Sequence, residues 1–108
     1  MLLVLALLCG VVKPLDVHQR SLVKVSVLDA ENLLVQSKET IETLYLDDMY
    51  VNTDYMRDHD PQKDEIRIRL LTSRGPLKIV VETLVPGTKV LRRKHRINVR
   101  NPIETSRR

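Results

Sequence analysis

The chain has 108 residues, one cysteine, no phenylalanine or tryptophan, and a formal net charge of +4. That length allows one small domain, and a single cysteine excludes both an intramolecular disulfide and a cysteine-based zinc site. The core must be aliphatic, built from Leu, Val and Ile with three tyrosines, a composition that favours strands.

The modest total hides a strong asymmetry. Residues 47 to 65 carry Asp47, Asp48, Asp54, Asp58, Asp60, Asp64 and Glu65 against Arg57 and Lys63, a net of −5. Residues 87 to 108 carry Lys89, Arg92, Arg93, Lys94, Arg96, Arg100, Arg107 and Arg108 against Glu104, a net of +7. Such a division points to an anionic partner, or to a basic segment folding against an acidic one.

In chain order, residues 1 to 12 form an uninterrupted apolar run that stops at Lys13 and Pro14. The run is shorter than the ~20 residues of a membrane span, so no transmembrane segment is assigned. It suits the apolar centre of a signal peptide, with the small residues Cys9 and Gly10 near a cleavage point. On this reading the chain is secreted. The alternative makes the run part of the core of an intracellular interaction or dimerisation module, cytoplasmic or nuclear.

Residues 13 to 21 read as a polar connector. From 22 to 28, Val23, Val25 and Val27 alternate with Lys24 and Ser26, the pattern of a half-buried strand. Residues 30 to 46 admit two readings. Asp29 is suited to cap a helix with Glu31 in its first turn, and Leu34, Ile41, Leu44 and Tyr45 would share its face. The alternation from Thr40 to Leu46 instead suggests two strands. The abundance of Glu, Leu, Gln and Lys favours the helix. Residues 47 to 64 read as an acidic loop with a short strand around 49 to 51.

Ile66, Ile68 and Leu70 then alternate with Arg67 and Arg69, a turn follows at Thr72-Ser73-Arg74-Gly75-Pro76, and Leu77, Ile79 and Val81 resume the alternation. This reads as a β-hairpin. After Val85-Pro86-Gly87 comes a last strand over 89 to 99, and residues 101 to 108 read as a basic tail. The expected fold is α+β and β-rich. It consists of a small antiparallel sheet with strands near 22–28, 65–71, 77–84 and 89–99 and one helix near 30–46, in a single domain over 22–100.

Strand geometry sorts the last segment into two faces. Leu91, Arg93, His95, Ile97 and Val99 point one way; Arg92, Lys94, Arg96, Asn98 and Arg100 point the other. Same-face neighbours lie ~6.6–6.8 Å apart, twice the rise per residue. The cations therefore form a ladder suited to an anionic polymer or an acidic protein surface. With the hairpin paired beside it, Arg67, Arg69 and Lys78 extend the cationic area. Nucleic acid is the weaker partner, because Phe and Trp are absent as stacking platforms and the tyrosines lie elsewhere in the chain. A homo-oligomer in which acidic loop meets basic strand uses the same charges. In an exported chain, Arg93 to Arg96 also fits a minimal Arg-x-x-Arg processing site.

Asp58, His59 and Asp60, with Asp54 and Asp64 nearby, form the one cluster with metal-ligand character. Their spacing lacks the glycine and terminal Glu of a calcium loop, so no metal or other cofactor is assigned. No phosphate loop, nucleophile elbow or His-Glu-x-x-His motif occurs. The expectation is a binding protein, not an enzyme.

The run Ile66-x-Ile68-x-Leu70-x-Thr72-x-x-Gly75-Pro76-Leu77-x-Ile79-x-Val81 resembles the closing hairpin of the marked-box dimerisation domain of cell-cycle transcription factors. Tyr50-Val51 and Met56-Arg57 resemble an earlier part of it. The resemblance implies a paired hairpin, and no function is carried across.

Overall fold

Alternating Val, Ile and Leu give each strand one apolar side, and two sheets stack to bury those sides against each other. The computed structural model describes residues 14–73 and 75–103; the run read as a signal peptide and residues 104–108 of the expected tail lie outside them. Among the described residues eight strands form: β1 (Asp16–Arg20), β2 (Val23–Val27), β3 (Asn32–Ser37), β4 (Ile41–Leu46), β5 (Tyr55–Asp60), β6 (Glu65–Leu70), β7 (Leu77–Leu84) and β8 (Arg92–Val99). A five-stranded sheet has the order β1-β2-β3-β6-β5 and a three-stranded sheet the order β4-β7-β8. Every pairing between these strands is antiparallel.

With β1 set aside, the remaining strands follow the arrangement of an immunoglobulin constant-type sandwich, four strands ABED facing three strands CFG, with A to G being β2 to β8. The inter-sheet disulfide of antibody domains has no counterpart, since the chain's one cysteine is Cys9. The core is aliphatic throughout. Val23, Val25, Leu33, Val35, Ile66 and Ile68 from the larger sheet are buried with Leu44, Leu46, Leu77, Ile79, Val81, Ile97 and Val99 from the smaller. Tyr55 is the one buried tyrosine, and its hydroxyl accepts a hydrogen bond from the Leu46 amide at 3.2 Å. Arg57 reaches across the same side of the sandwich, donating from Nη1 to the Leu44 carbonyl.

The β-rich antiparallel expectation holds, with strands where 22–28, 65–71, 77–84 and 89–99 were expected. The helix over 30–46 does not form; β3 and β4 occupy that stretch, as in the alternative two-strand reading. Asp29 does act as a cap, but of a turn. Its Oδ1 accepts from the amides of Glu31 (2.9 Å) and Asn32 (2.8 Å), closing the β2–β3 reversal. Side-chain-to-backbone bonds of this kind start a turn as readily as a helix.

The hairpin over 66–81, and with it the marked-box likeness, is corrected too. β6 lies in the larger sheet and β7 in the smaller, so residues 71–76 cross between sheets. A period-2 pattern decides which side of a strand is buried, not which strand lies beside it. Both apolar sides face the core from opposite layers. The "connector" contains β1, the "acidic loop" contains β5, and the "tail" begins with Asn101 fully buried. The Asn101 Nδ2 donates to the Thr72 carbonyl at 3.1 Å, tying the crossover to the segment after β8.

Candidate anion-binding face

β8 is an edge of the smaller sheet, paired with β7 from Leu84↔Arg92 to Leu77↔Val99. Its alternation sorts side chains as expected: His95, Ile97 and Val99 are buried, while Arg92, Lys94, Arg96 and Asn98 are exposed. Arg100 follows directly, also exposed. Lys78 of β7, the ladder partner of Asn98, shares this outer face. Arg67 and Arg69 do not. They sit on β6 of the other sheet, beside Leu34 and Asp58 and beside Asn32 and Met56 respectively. Stacked sheets lie ~10 Å apart, so these two arginines face away from the other five cations. The continuous cationic area expected from the sequence is divided between opposite sides of the molecule.

The five cations on the smaller sheet differ in how far they are neutralised. Arg92 Nη2 lies 3.0 Å from Glu42 Oε1, and Lys78 Nζ lies 3.7 Å from Asp48 Oδ2. Glu42 reaches Arg92 because the β4–β7 register shifts between Ile41 and Thr43. Such a bulge leaves an extra residue on one strand and re-aims its side chains. Lys94 stands opposite Glu82 in the ladder, yet the Glu82 carboxylate instead accepts the Thr43 hydroxyl at 3.1 Å. Among the described residues, Lys94, Arg96 and Arg100 are in no ion pair.

Arg96 also has a packing role. Val80, although on the outer face, is only 3% exposed, with Tyr45 and Arg96 as its ladder partners. A long stem laid over an aliphatic neighbour keeps its charged head in water. The register thus brings Tyr45 onto the same face as the basic strand, correcting the expectation that the tyrosines lie elsewhere.

The inner side of β8 carries a polar network that the sequence did not announce. Glu39, Thr83 and His95 are 6%, 0% and 7% exposed. The Thr83 hydroxyl donates to Glu39 Oε1 at 3.0 Å, and Arg93 Nε donates to Glu39 Oε2 at 3.2 Å. With its one proton directed to Glu39, the Thr83 oxygen is left to accept from His95 Nε2, 3.1 Å away. Burial holds the His95 pKa below the usual histidine range; Glu39 opposes that shift, and Arg93 and then Arg20 of β1 add to it. Glu39 is set in place by its own amide, which donates to Ser37 Oγ at 3.0 Å. Glu39 and Thr83 are 44 residues apart in sequence, so no local pattern could have paired them.

Asp58, His59 and Asp60 alternate across β5, and the strand sends His59 to the opposite side from the two carboxylates. Among the described residues, no three His, Cys, Asp or Glu side chains are grouped to hold a metal ion. The Arg93–Arg96 stretch is paired with β7 at every residue rather than presented as an open loop. Comparison with known proteins finds no family model, no curated protein and no solved structure that matches this chain.

Proposed function

We propose that this chain is a non-enzymatic, secreted binding domain that holds an anionic partner on the outer face of β8. The observation that carries the reading is the pair Lys94 and Arg96. They are adjacent on one exposed face of a hydrogen-bonded strand and, among the described residues, without a neutralising partner. Cations left unneutralised keep a field that reaches an approaching polyanion, and a paired strand fixes their spacing in advance. Arg92, Arg100 and Lys78 extend the face, two of them already shared with acidic neighbours. Export rests on residues 1–12. Asp16, where β1 begins, lies beyond the expected cut, so removal of the run leaves every described strand whole. N-terminal sequencing of the protein from its native cells tests that point, with a mature start between 11 and 15 expected.

The binding test uses the two sheets against each other. Lys94→Glu with Arg96→Glu, on the smaller sheet, should elute from a heparin column at clearly lower salt than the native protein. Arg67→Glu with Arg69→Glu makes the same change in net charge on the opposite sheet and should elute later than the first variant. Equal elution of the two variants would show that the column reads net charge alone, and the face would be abandoned.

A further inference from the structure

The reversal between β7 and β8 sets two aliphatic side chains in water. Val90 is 77% exposed and Leu91 63%, although the loop that carries them is well tied. The Val85 amide donates to the Leu91 carbonyl at 3.0 Å, and the Thr88 amide to the Val85 carbonyl at 3.2 Å. The Thr88 hydroxyl in turn accepts from the amides of Val90 (2.9 Å) and Leu91 (3.2 Å). Gly87 supplies the positive φ of 84° that the reversal needs. The exposure is thus held in place by hydrogen bonds and is not a by-product of a slack loop. Isolated exposed aliphatics are ordinary on protein surfaces, so the surroundings decide what these two mean.

Those surroundings are basic. Lys89 precedes the pair and Arg92 follows it, with Lys94 next on the outward side of β8. The other turns at this end of the sandwich lie beside the reversal. The Leu84 amide bonds the Thr40 carbonyl, Lys38 bonds the Leu22 carbonyl, and Ser37 bonds the Asp64 carbonyl. They bring Arg20, Lys38 and Lys63 to the same end. An apolar tip within a collar of Lys and Arg matches the layering of an anionic bilayer, where phosphates lie outermost and acyl chains beneath. A sulfated glycan or a nucleic-acid backbone meets the cations equally well but offers nothing to Val90 and Leu91.

We infer that the 85–91 tip inserts Val90 and Leu91 among the lipids of an anionic membrane, with Lys89, Arg92 and Lys94 on the headgroup phosphates. This rests on the cationic-face reading and names its partner. Two aliphatic side chains give weak attachment alone, so binding requires anionic lipid and weakens with salt.

The test is flotation of the mature chain, collected as it is secreted and free of the apolar leader, with vesicles of phosphatidylcholine alone and with phosphatidylserine added. The native protein should float with the serine-lipid vesicles only. Val90→Ser with Leu91→Ser should weaken that binding about tenfold or more, as expected for removing two buried aliphatic groups, while heparin elution stays unchanged. The native chain has no tryptophan, so Val90→Trp reports insertion directly, through a blue shift of its emission on these vesicles. If the serine variant floats as the native does, or the indole emission of Val90→Trp does not move, insertion is wrong and the cationic face survives. Retention on heparin without any flotation assigns the face to a polyanion and overturns the membrane. Loss of both overturns both readings.

Discussion

At the end of the sandwich formed by the 28–31, 47–54 and 71–76 connections, four of the described acids are occupied. Asp29 accepts from Glu31 and Asn32, Asp54 Oδ2 accepts from the Tyr50 amide at 2.8 Å, Glu31 lies near Arg69, and Asp48 near Lys78. At the opposite end, the acids Glu39 and Asp64 are likewise engaged. Asp64 Oδ1 accepts from the Ile41 amide, and its carbonyl from that of Ser37. The cations there are not: among the described residues, Lys38, Lys63 and Lys89 are in no ion pair. Carboxylates hold turns together by accepting from backbone N–H groups, whereas an ammonium group cannot satisfy an N–H. Acids are thus engaged at both ends, while three unpaired lysines gather at one; under the proposed function that end is the one that meets the partner.

The largest effect should come from the opposite end. Asn101→Ala removes the donor to Thr72 and the acceptor of the Ile103 amide at a fully buried site. It should cost about 3 kcal/mol in urea unfolding, since buried partners left unsatisfied cost ~1–3 kcal/mol each. Thr83→Val at the other end keeps the side-chain shape but unties Glu39 from His95, and should cost about 2 kcal/mol. Heparin elution should be unchanged by Asn101→Ala. If it moves, the division of labour between the ends is broken.

The sequence is most legible where burial is one-sided, and least where it is shared or absent. Val23, Val25 and Val27, Ile66, Ile68 and Leu70, and the outward row from Arg92 to Asn98 all lie on the sides their alternation requires. β1 and β5 are hard to read in the sequence because each is a sheet edge with a polar pattern. Val17 in β1 is exposed, and of β5 only Tyr55 is buried, so neither shows an alternating apolar row. Polar edges resist pairing with other chains, and the same polarity hides them as strands. The neighbours of β6 and β7 were illegible for another reason. Stacking two sheets and pairing two strands both require one apolar side, and only the whole topology distinguishes them. The Glu39–Thr83–His95 network depends on that topology as well.

The two ends should also fail at different pH. Folded His95 is held below its unfolded value of about 6.5, so the folded state binds fewer protons there. Its contribution is complete above that value and is lost as pH falls through the folded pKa. The Asp29 pKa is also lowered, first by the Glu31 amide and next by the Asn32 side chain, with burial opposing them. Its contribution is present above about 3.9, the unfolded value, and is lost only as pH falls further. Urea midpoints measured against pH should therefore decline in two stages. His95→Gln should flatten the first stage and Asp29→Asn the second; a single stage insensitive to His95→Gln would sink the assignment.

The smallest effect sharpens the comparison through the backbone. Ser21 (φ 56°) lies in the two-residue β1–β2 turn at the basic end, and Asn52 (φ 70°) in the 47–54 connection at the acidic end. Both adopt the left-handed region, which costs most residues ~1–2 kcal/mol, but asparagine tolerates it well. A positive φ at the first central position of a two-residue hairpin is where glycine is preferred. Glycine relieves the strain at Ser21 but gives back ~0.5–1 kcal/mol through the greater freedom of the unfolded chain. The net for Ser21→Gly should be a gain of about 0.5 kcal/mol. Asn52 has little strain to relieve, so Asn52→Gly should be neutral or slightly destabilising. Equal responses would mean that the β1–β2 turn holds Ser21 without strain, and that this end is no less settled in its backbone than the other.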